Sequence, residues 1–218
     1  TVSTRGSHTY GKRHLNGLLI NYELWNEILA LKDTHYLRPG KAAADQAKYW
    51  RLLASANINT GKPAEANALL VQMEKLLTTQ QAGKTKAGTA AEAKAKAAKK
   101  KASEIRKAKS NAERPYNTAI STLTRGIAEA KMYRALAKGD KAAAKTFLAK
   151  ASDIRGDRKA LLQFRVGDTE AALKSADAAV KSGAEQARPL AVQVYLLHPA
   201  NKPAEAKAAF EHLRRIAP

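Results

Sequence analysis

Hydrophobic residues recur at three- and four-residue steps along most of this chain, which is the spacing of a single helical face. Leu15, Leu18, Tyr22, Trp25 and Leu29 follow this spacing and predict an amphipathic helix over 15–31. Comparable stretches predict helices over 42–59, 62–78, 116–138, 140–154, 157–166, 168–182, 187–198 and 203–216. The alternating β-branched runs typical of strands are missing from the sequence. We therefore expect an all-α protein.

The turns between these predicted helices resemble one another. The sequence GKPAEA begins at Gly61 and NKPAEA begins at Asn201, while GDKAAA begins at Gly139 and GDTEAA at Gly167. Gly167 and Asn201 are 34 residues apart. This is the period of a repeat built from two antiparallel helices.

The first of these units resembles a tetratricopeptide repeat. Its large, small and turn residues stand where that family has them: Trp50, Leu53, Ala54, Gly61, Ala66, Leu70 and Met73. The last unit agrees with the family at Leu190, Val194, Ala206, Phe210, Leu213 and Pro218. Asn57 and Leu197 replace the tyrosine of the family pattern. The resemblance implies antiparallel helical hairpins stacked as an array or solenoid, and a simple helical bundle is the alternative.

A Lys/Ala-rich segment separates the first unit from the later ones. Residues 83–114 hold 11 Lys or Arg and 3 Glu, a net charge of +8, and Ile105 is their single large apolar residue. Gly83 and Gly88 indicate a flexible entry. The segment has high helix propensity but no apolar face, so we expect an exposed helix or a partly disordered linker. The predicted organisation is a basic arm (1–14), helical hairpins (15–80), this segment (81–114) and repeats (115–218).

The same segment is a candidate polyanion site in a chain whose net charge is +20. Its cations would surround a helix and gain from counterion release on nucleic acid or another anionic surface. They are Lys94, Lys96, Lys99, Lys100, Lys101, Arg106, Lys107 and Lys109. A solvated, self-repelling spacer explains the same composition. No aromatic residue interleaves the lysines, which disfavours a site that stacks single-stranded bases.

The composition offers little for catalysis or metal binding. The chain has no cysteine, which excludes a disulfide framework, a Cys-ligated zinc site and a Cys nucleophile. Its five histidines form no i, i+4 pair with a carboxylate placed to complete a metal site. We expect no catalytic residue, no metal and no cofactor. No apolar run is long enough for a transmembrane helix, and the start at Thr1 indicates a processed or trimmed product.

The family geometry implies a partner-binding surface on the first helix of each unit. Its residues would be Lys48, Arg51, Ser55, Glu129, Tyr133, Arg188, Tyr195 and His198. A basic and aromatic lining fits an acidic protein or peptide partner. On this hypothesis, charge reversal at Arg51 and Arg188 abolishes binding and leaves helicity intact.

Three functions remain open from the sequence. The first is a non-enzymatic helical scaffold that binds a protein or peptide partner, expected to be acidic. The second is sequence-independent binding of nucleic acid or another polyanion through the Lys-rich segment. The third is an accessory helical region or subunit of a larger enzyme assembly.

Overall fold

The computed structural model describes residues 7–183 and 186–217, without the side chains of residues 7–9. Residues 1–6 of the predicted arm and Pro218, the predicted closing proline of the last repeat, lie outside the described residues. Within those ranges the chain forms helices and no strand, which confirms the all-α class. The ten described helices are α1 (Ser7–Asn21), α2 (Trp25–Leu31), α3 (Ala43–Asn59), α4 (Pro63–Ala97), α5 (Ala102–Ala137), α6 (Lys141–Lys150), α7 (Gly156–Arg165), α8 (Thr169–Ser182), α9 (Ala187–Leu197) and α10 (Pro203–Ile216).

The helix predicted over 15–31 is two helices, and α1 begins within the predicted basic arm. The break lies at Glu23, which has a φ of 54°. There the amide of Leu24 donates to the carbonyl of Leu19 over 2.9 Å. The turn places Leu19 and Ile28, which lie on opposite sides of the break, in one apolar cluster. Periodicity could not reveal it, because the apolar spacing continues across the turn.

Four turns between later helices share one backbone conformation. Their left-handed residues, with φ between 55° and 85°, are Gly61, Gly139, Gly167 and Asn201. In each turn the amide of the next residue bonds to the carbonyl five residues before it, as Lys62 does to Asn57 over 2.8 Å. This arrangement satisfies the free carbonyls at the end of a helix and reverses the chain. The repeated turn motif of the sequence therefore corresponds to a repeated backbone structure.

The chain divides into two compact units, residues 1–130 and 131–218, with the boundary inside α5. Unit 1 has two neighbouring apolar clusters in its described part. One joins α3 and α4 to α5 through Ala54, Leu70, Met73 and Leu123. The other joins α1 and α2 to α3 and includes Leu19, Ile28, Leu37, Leu52 and Leu53.

Five of the seven residues that carry the repeat resemblance in unit 1 are buried, while Trp50 is half-buried and Gly61 is exposed in its turn. Ala54 and Ala66 are 0% and 1% exposed, and Leu70 and Met73 are buried beside them. Alanine side chains at these positions let α3 and α4 approach closely. The described structure is compatible with a helical repeat fold.

Unit 2 is built from helices that contact their neighbours in the chain. α7 packs against α8, α8 against α9, and α9 against α10, while α7 also contacts α9. The core between α7, α8 and α9 contains Ala160, Ala172, Ala176, Val192 and Leu196. Phe210, expected at a packing position of the last repeat, is instead 49% exposed. The reason is that α10 packs on α9 without fully burying any of its own side chains.

We predict that Gly126→Ala lowers the free energy of unfolding by about 1 kcal/mol. A methyl group there would lie 2.8 Å from Cε of Met73 and 3.1 Å from Cβ of Arg51. The terminal methyl group of Met73 can move aside, but Cβ of Arg51 is fixed to the backbone of α3. Helices α3 and α5 must therefore separate. The overpacking cost exceeds the gain in helix propensity.

Gly11→Ala is the matched control, because a methyl group at Gly11 meets nothing within 4 Å among the described residues. Its helix propensity should raise stability by about 0.5–1 kcal/mol. Urea unfolding measures both variants. Equal shifts in the same direction would contradict the close approach at Gly126.

Candidate functional site

Helices α4 and α5 form an antiparallel hairpin within unit 1. Glu92 of α4 lies 3.0 Å from Nζ of Lys109 on α5. Further from the turn, Gly88 lies against Glu113 and Gly83 against Tyr116. As residue numbers fall along α4, the numbers of their partners rise along α5. The Lys-rich segment is therefore neither a single exposed helix nor a linker but the outer part of two paired helices.

Gly83 and Gly88 are packing residues of this hairpin and not a flexible entry. Both lie inside α4. An added Cβ at Gly83 would come within 2.7 Å of the ring of Tyr116, and one at Gly88 would clash with the carboxylate of Glu113. The missing side chains allow α5 to approach the backbone of α4. Helix α4 consequently continues to Ala97, well beyond the predicted end at Thr78.

The hairpin does have a face to bury, and it consists of small residues. Gly88 and Ala95 of α4 are buried, and Ala91 between them is half-buried. On α5, Ile105 and Ala108 are half-buried at the same kind of spacing. Sequence analysis missed this face because alanine contributes little to apolar periodicity. The signal was nevertheless present as small residues at three- and four-residue steps, the pattern of a helical seam.

The turn at the end of the hairpin places the predicted polyanion residues together. Lys99 has a φ of 52°, and the amide of Lys100 donates to the carbonyl of Ala95 over 3.1 Å. At about 1.5 Å of rise per residue, the end of α4 at Ala97 lies about 36 Å along the helix from the core residue Met73. All eight predicted residues are exposed: Lys94, Lys96, Lys99, Lys100, Lys101, Arg106, Lys107 and Lys109. We call this end of the hairpin, residues 94–109, the basic tip.

The charges of the basic tip are only partly compensated. Glu92 takes ion pairs from Lys96 at 2.7 Å and from Lys109 at 3.0 Å. In the described part of the chain, no carboxylate lies within 4 Å of the ammonium groups of Lys99, Lys100 or Lys101. Glu104 is occupied at the start of α5, where its carboxylate accepts the backbone amide of Lys101 over 3.2 Å. Three consecutive unpaired cations therefore occupy the turn.

Three of the eight residues predicted to form a partner-binding face are buried. Ser55 and Glu129 are fully buried in unit 1, and Tyr133 is 2% exposed in unit 2. Their side chains are enclosed by protein and present nothing to a partner. Lys48, Tyr195 and His198 are exposed as expected. The difference arises because the repeat pattern gives helix faces but does not show which polar residues fill the core.

Arg51 and Arg188 are held by buried carboxylates. Nε of Arg51 donates to Glu129 over 2.6 Å, and Nε of Arg188 lies 2.7 Å from Asp157, which is 1% exposed. Charge reversal at either arginine would place two carboxylates together in a buried site. The expectation that such variants keep their helicity is therefore replaced by an expectation of destabilisation.

Unit 2 contains a second buried polar contact that sequence reasoning missed. The guanidinium of Arg158, 1% exposed, donates to the hydroxyl of Tyr133 over 2.7 Å. Asp157 and Arg158 are the first two residues of the helix predicted over 157–166. The structure turns Asp157 and Arg158 inward. The ion pairs of Asp157 with Arg155 and Arg188, and the hydrogen bond from Arg158 to Tyr133, indicate a structural role for these enclosed groups.

Among the described residues, no group of three or more His, Asp or Glu side chains is arranged to hold a metal ion. None of the described helices combines the length and the apolar character needed to cross a membrane.

We predict that Glu92 makes the hairpin sensitive to acid. Hydrogen bonds from Lys96 and then Lys109 lower the pKa of Glu92 from 4.5 to about 2. A lowered pKa means that the stabilising contribution is complete above pH 4.5 and is lost as the pH falls towards about 2. Between these values, the melting temperature of the wild type should fall more steeply than that of Glu92→Gln. Equal slopes of melting temperature against pH for the two proteins would contradict the stabilising role of ionised Glu92.

We also predict that Arg51→Gln lowers the free energy of unfolding by about 3 kcal/mol, because it removes a guanidinium that pairs with the buried carboxylate of Glu129. The control is Lys48→Gln on the same helix, whose ammonium lies 3.6 Å from Asp45 with both side chains about half exposed. That variant should change stability by less than about 0.5 kcal/mol. Urea unfolding compares the two. Similar values for both would show that the Arg51 pair does not stabilise the fold.

The chain was also compared with known proteins. No protein-family model, curated protein or solved structure matches it. The assignment of a function therefore depends on the geometry described above.

Proposed function

We propose that this chain binds double-stranded nucleic acid without sequence specificity through the basic tip, and that it acts by binding and not by catalysis. The observation that supports this proposal is the cluster of unpaired cations at Lys99, Lys100 and Lys101 on a helical turn. A phosphate backbone contacted by such a cluster releases its condensed counterions, which drives association.

The order of the hairpin favours binding over a spacer role. A solvated spacer needs only charge and polarity, whereas α4 and α5 are held together by Gly88, Ala95 and the ion pair between Glu92 and Lys109. Holding the cations on paired helices reduces the conformational freedom that each would lose on contact with phosphate. The packing between the helices thus increases the affinity for phosphate. A spacer would not need such packing.

The backbone at Lys99 supports the same proposal. The four turns described above have Gly or Asn at the left-handed position, residues that tolerate this conformation. The hairpin turn has a lysine there with a φ of 52°. Lysine is not favoured in this strained conformation, so its presence at the turn is consistent with selection for positive charge there. Glu23 shows that a charged residue also occupies such a position elsewhere, so this observation is secondary.

Duplex nucleic acid suits the tip better than a single strand or a membrane. Residues 94–109 contain no aromatic side chain on which unpaired bases could stack. Their single large apolar residue, Ile105, is half-buried in the hairpin and does not face outward to enter a lipid interface. The tip can therefore contact phosphate groups, but it has no side chain to stack on bases or to insert among lipid acyl chains. A duplex, whose phosphates lie on the outside, fits this chemistry.

We further propose that the helices outside the hairpin belong to tetratricopeptide-like units. The support is the recurrence of one turn geometry at Gly61, Gly139, Gly167 and Asn201, together with the contact between α7 and α9, which are not consecutive in the chain. In a repeat array, equivalent helices of neighbouring units meet in this way.

A second candidate function is contact between unit 2 and an acidic protein or peptide. Tyr195 is 59% exposed, and its ring lies edge-on to Phe164 at 6.1 Å. A rigid, exposed aromatic residue beside the exposed His198 is a suitable contact point for a partner. Tyr195 and His198 belong to the predicted partner-binding face, and both are exposed.

We predict that a labelled random-sequence duplex binds this protein with an affinity that falls by about three to five powers of ten between about 50 and 200 mM salt. Fluorescence anisotropy measures the affinity. Replacing Lys99, Lys100 and Lys101 together by Gln should weaken binding at least about tenfold at low salt. It should also reduce the slope of log affinity against log salt by about 2.7.

A matched control is essential because any chain with a net charge of +20 attracts nucleic acid. Replacing Lys138, Lys141 and Lys150 by Gln removes the same charge from exposed positions of unit 2. Affinity should then change far less than in the tip variant. An equal loss in both variants would overturn the tip as the site, and absence of binding at low salt would overturn the function.

A further inference from the structure

A cleft of about 590 Å³ opens in unit 1 between α1, the segment 32–42 and the start of α3. Its floor is apolar and is formed by Ile20, Leu37 and Leu52. Leu37 and Leu52 are buried, so the floor is continuous with the core of unit 1. The volume falls in the range of about 300–1,000 Å³ typical of sites for small molecules.

Hydrogen bonds hold the wall of this cleft in place. The ammonium of Lys12 on α1 donates to the carbonyl of Arg38 and reaches the carbonyl of His35 at 3.5 Å. On the other side, the hydroxyl of Tyr49 donates to the carbonyl of Lys32 over 2.8 Å. The segment 32–42 is thus tied to both α1 and α3.

Positive charge dominates the lining. Four cations, Lys12, Arg13, Lys48 and Arg51, line the cleft with a single carboxylate, that of Asp45. Arg51 is paired with the buried Glu129, but the pair of Lys48 with Asp45 is long at 3.6 Å. The cleft therefore keeps a net positive charge next to an apolar floor.

Two consecutive residues of α1, Asn16 and Gly17, line the cleft. Asn16 provides a polar group, and Gly17 leaves space. Oδ1 of Asn16 is buried and has no hydrogen-bond partner among the described residues. A side-chain amide can present either its oxygen or its NH2 group to a ligand. One position further, a Cβ added to Gly17 would meet nothing within 4 Å in the described structure, although the position is half-buried.

From these features we infer that the cleft binds a small organic anion with an apolar body, such as a carboxylate on an alkyl or aryl group. The apolar part would lie on Leu37 and Leu52, and the anionic group would lie near Arg13 and Lys48. This site is separate from the basic tip and goes beyond the proposed function. Its chemistry also differs, because a nucleic acid has no apolar body to occupy the floor.

Displacement of a fluorescent anion tests the inference. The dye 1-anilinonaphthalene-8-sulfonate should bind the full chain, and octanoate should displace it. Octan-1-ol has a chain of the same length without the charge, so octanoate should act at a concentration at least about tenfold lower. Equal potency of the two compounds, or no displacement by octanoate, would overturn the site.

A pair of glycine variants locates the binding. Gly17→Leu fills the cleft and should abolish displaceable dye binding, whereas Gly11→Leu makes the same change on the same helix outside the cleft and should leave binding intact. Thermal melting shows whether both remain folded. Binding in Gly17→Leu equal to that in Gly11→Leu would place the dye elsewhere and overturn the site.

A variant that removes positive charge from the cleft tests the same site, even if Gly17→Leu does not fold. Arg13 and Lys48 have exposed side chains, so Arg13→Gln with Lys48→Gln should fold normally. It should remove most of the advantage of octanoate over octan-1-ol while leaving the potency of octan-1-ol unchanged. An undiminished advantage would contradict the assigned anion position.

Discussion

The helix packing of this protein depends on turns that reverse the chain within a few residues. In these turns a single residue takes a left-handed backbone conformation, and the following amide closes the end of the helix. The residues concerned are Glu23, Gly61, Lys99, Gly139, Gly167 and Asn201. Because such connections are short, helices that follow each other in the chain lie side by side. The apolar and small residues of one helix then meet those of the next.

Small side chains on the facing surfaces determine how closely those helices approach. Alanine fills this role in unit 1 at Ala54 and Ala66 and in unit 2 at Ala172 and Ala176. Along the α4–α5 hairpin it is joined by Gly83 and Gly88. A seam of this kind buries backbone and methyl groups and leaves the long cationic side chains outside. The Lys/Ala composition thus serves packing and charge at the same time, and the proposed contact with phosphate requires both.

The positive charge of the chain has two different structural roles. At the basic tip, Lys99, Lys100 and Lys101 are exposed and unpaired in the described structure. Elsewhere, cations are bound to enclosed groups, as Arg51 is to Glu129 and Arg158 is to Tyr133. A buried carboxylate or hydroxyl loses its hydration and gains a guanidinium in exchange. Only the first kind of charge remains available to a ligand, which is why the tip and the rim of the cleft are the candidate sites.

The sequence by itself determined the all-α class, most helix boundaries in unit 2 and the turns at Gly61, Gly139 and Gly167. These features are local, because they depend on apolar spacing along one helix and on residues that tolerate one backbone conformation. The sequence also located the cations of the tip, since a dense run of lysines cannot be buried without partners. Only the tertiary structure decided that Gly83 and Gly88 face α5, that Ser55 and Glu129 are buried, and that Lys12 and Lys48 line one cleft. Each of these depends on which side chain lies opposite in another helix, and local spacing carries no information about that partner.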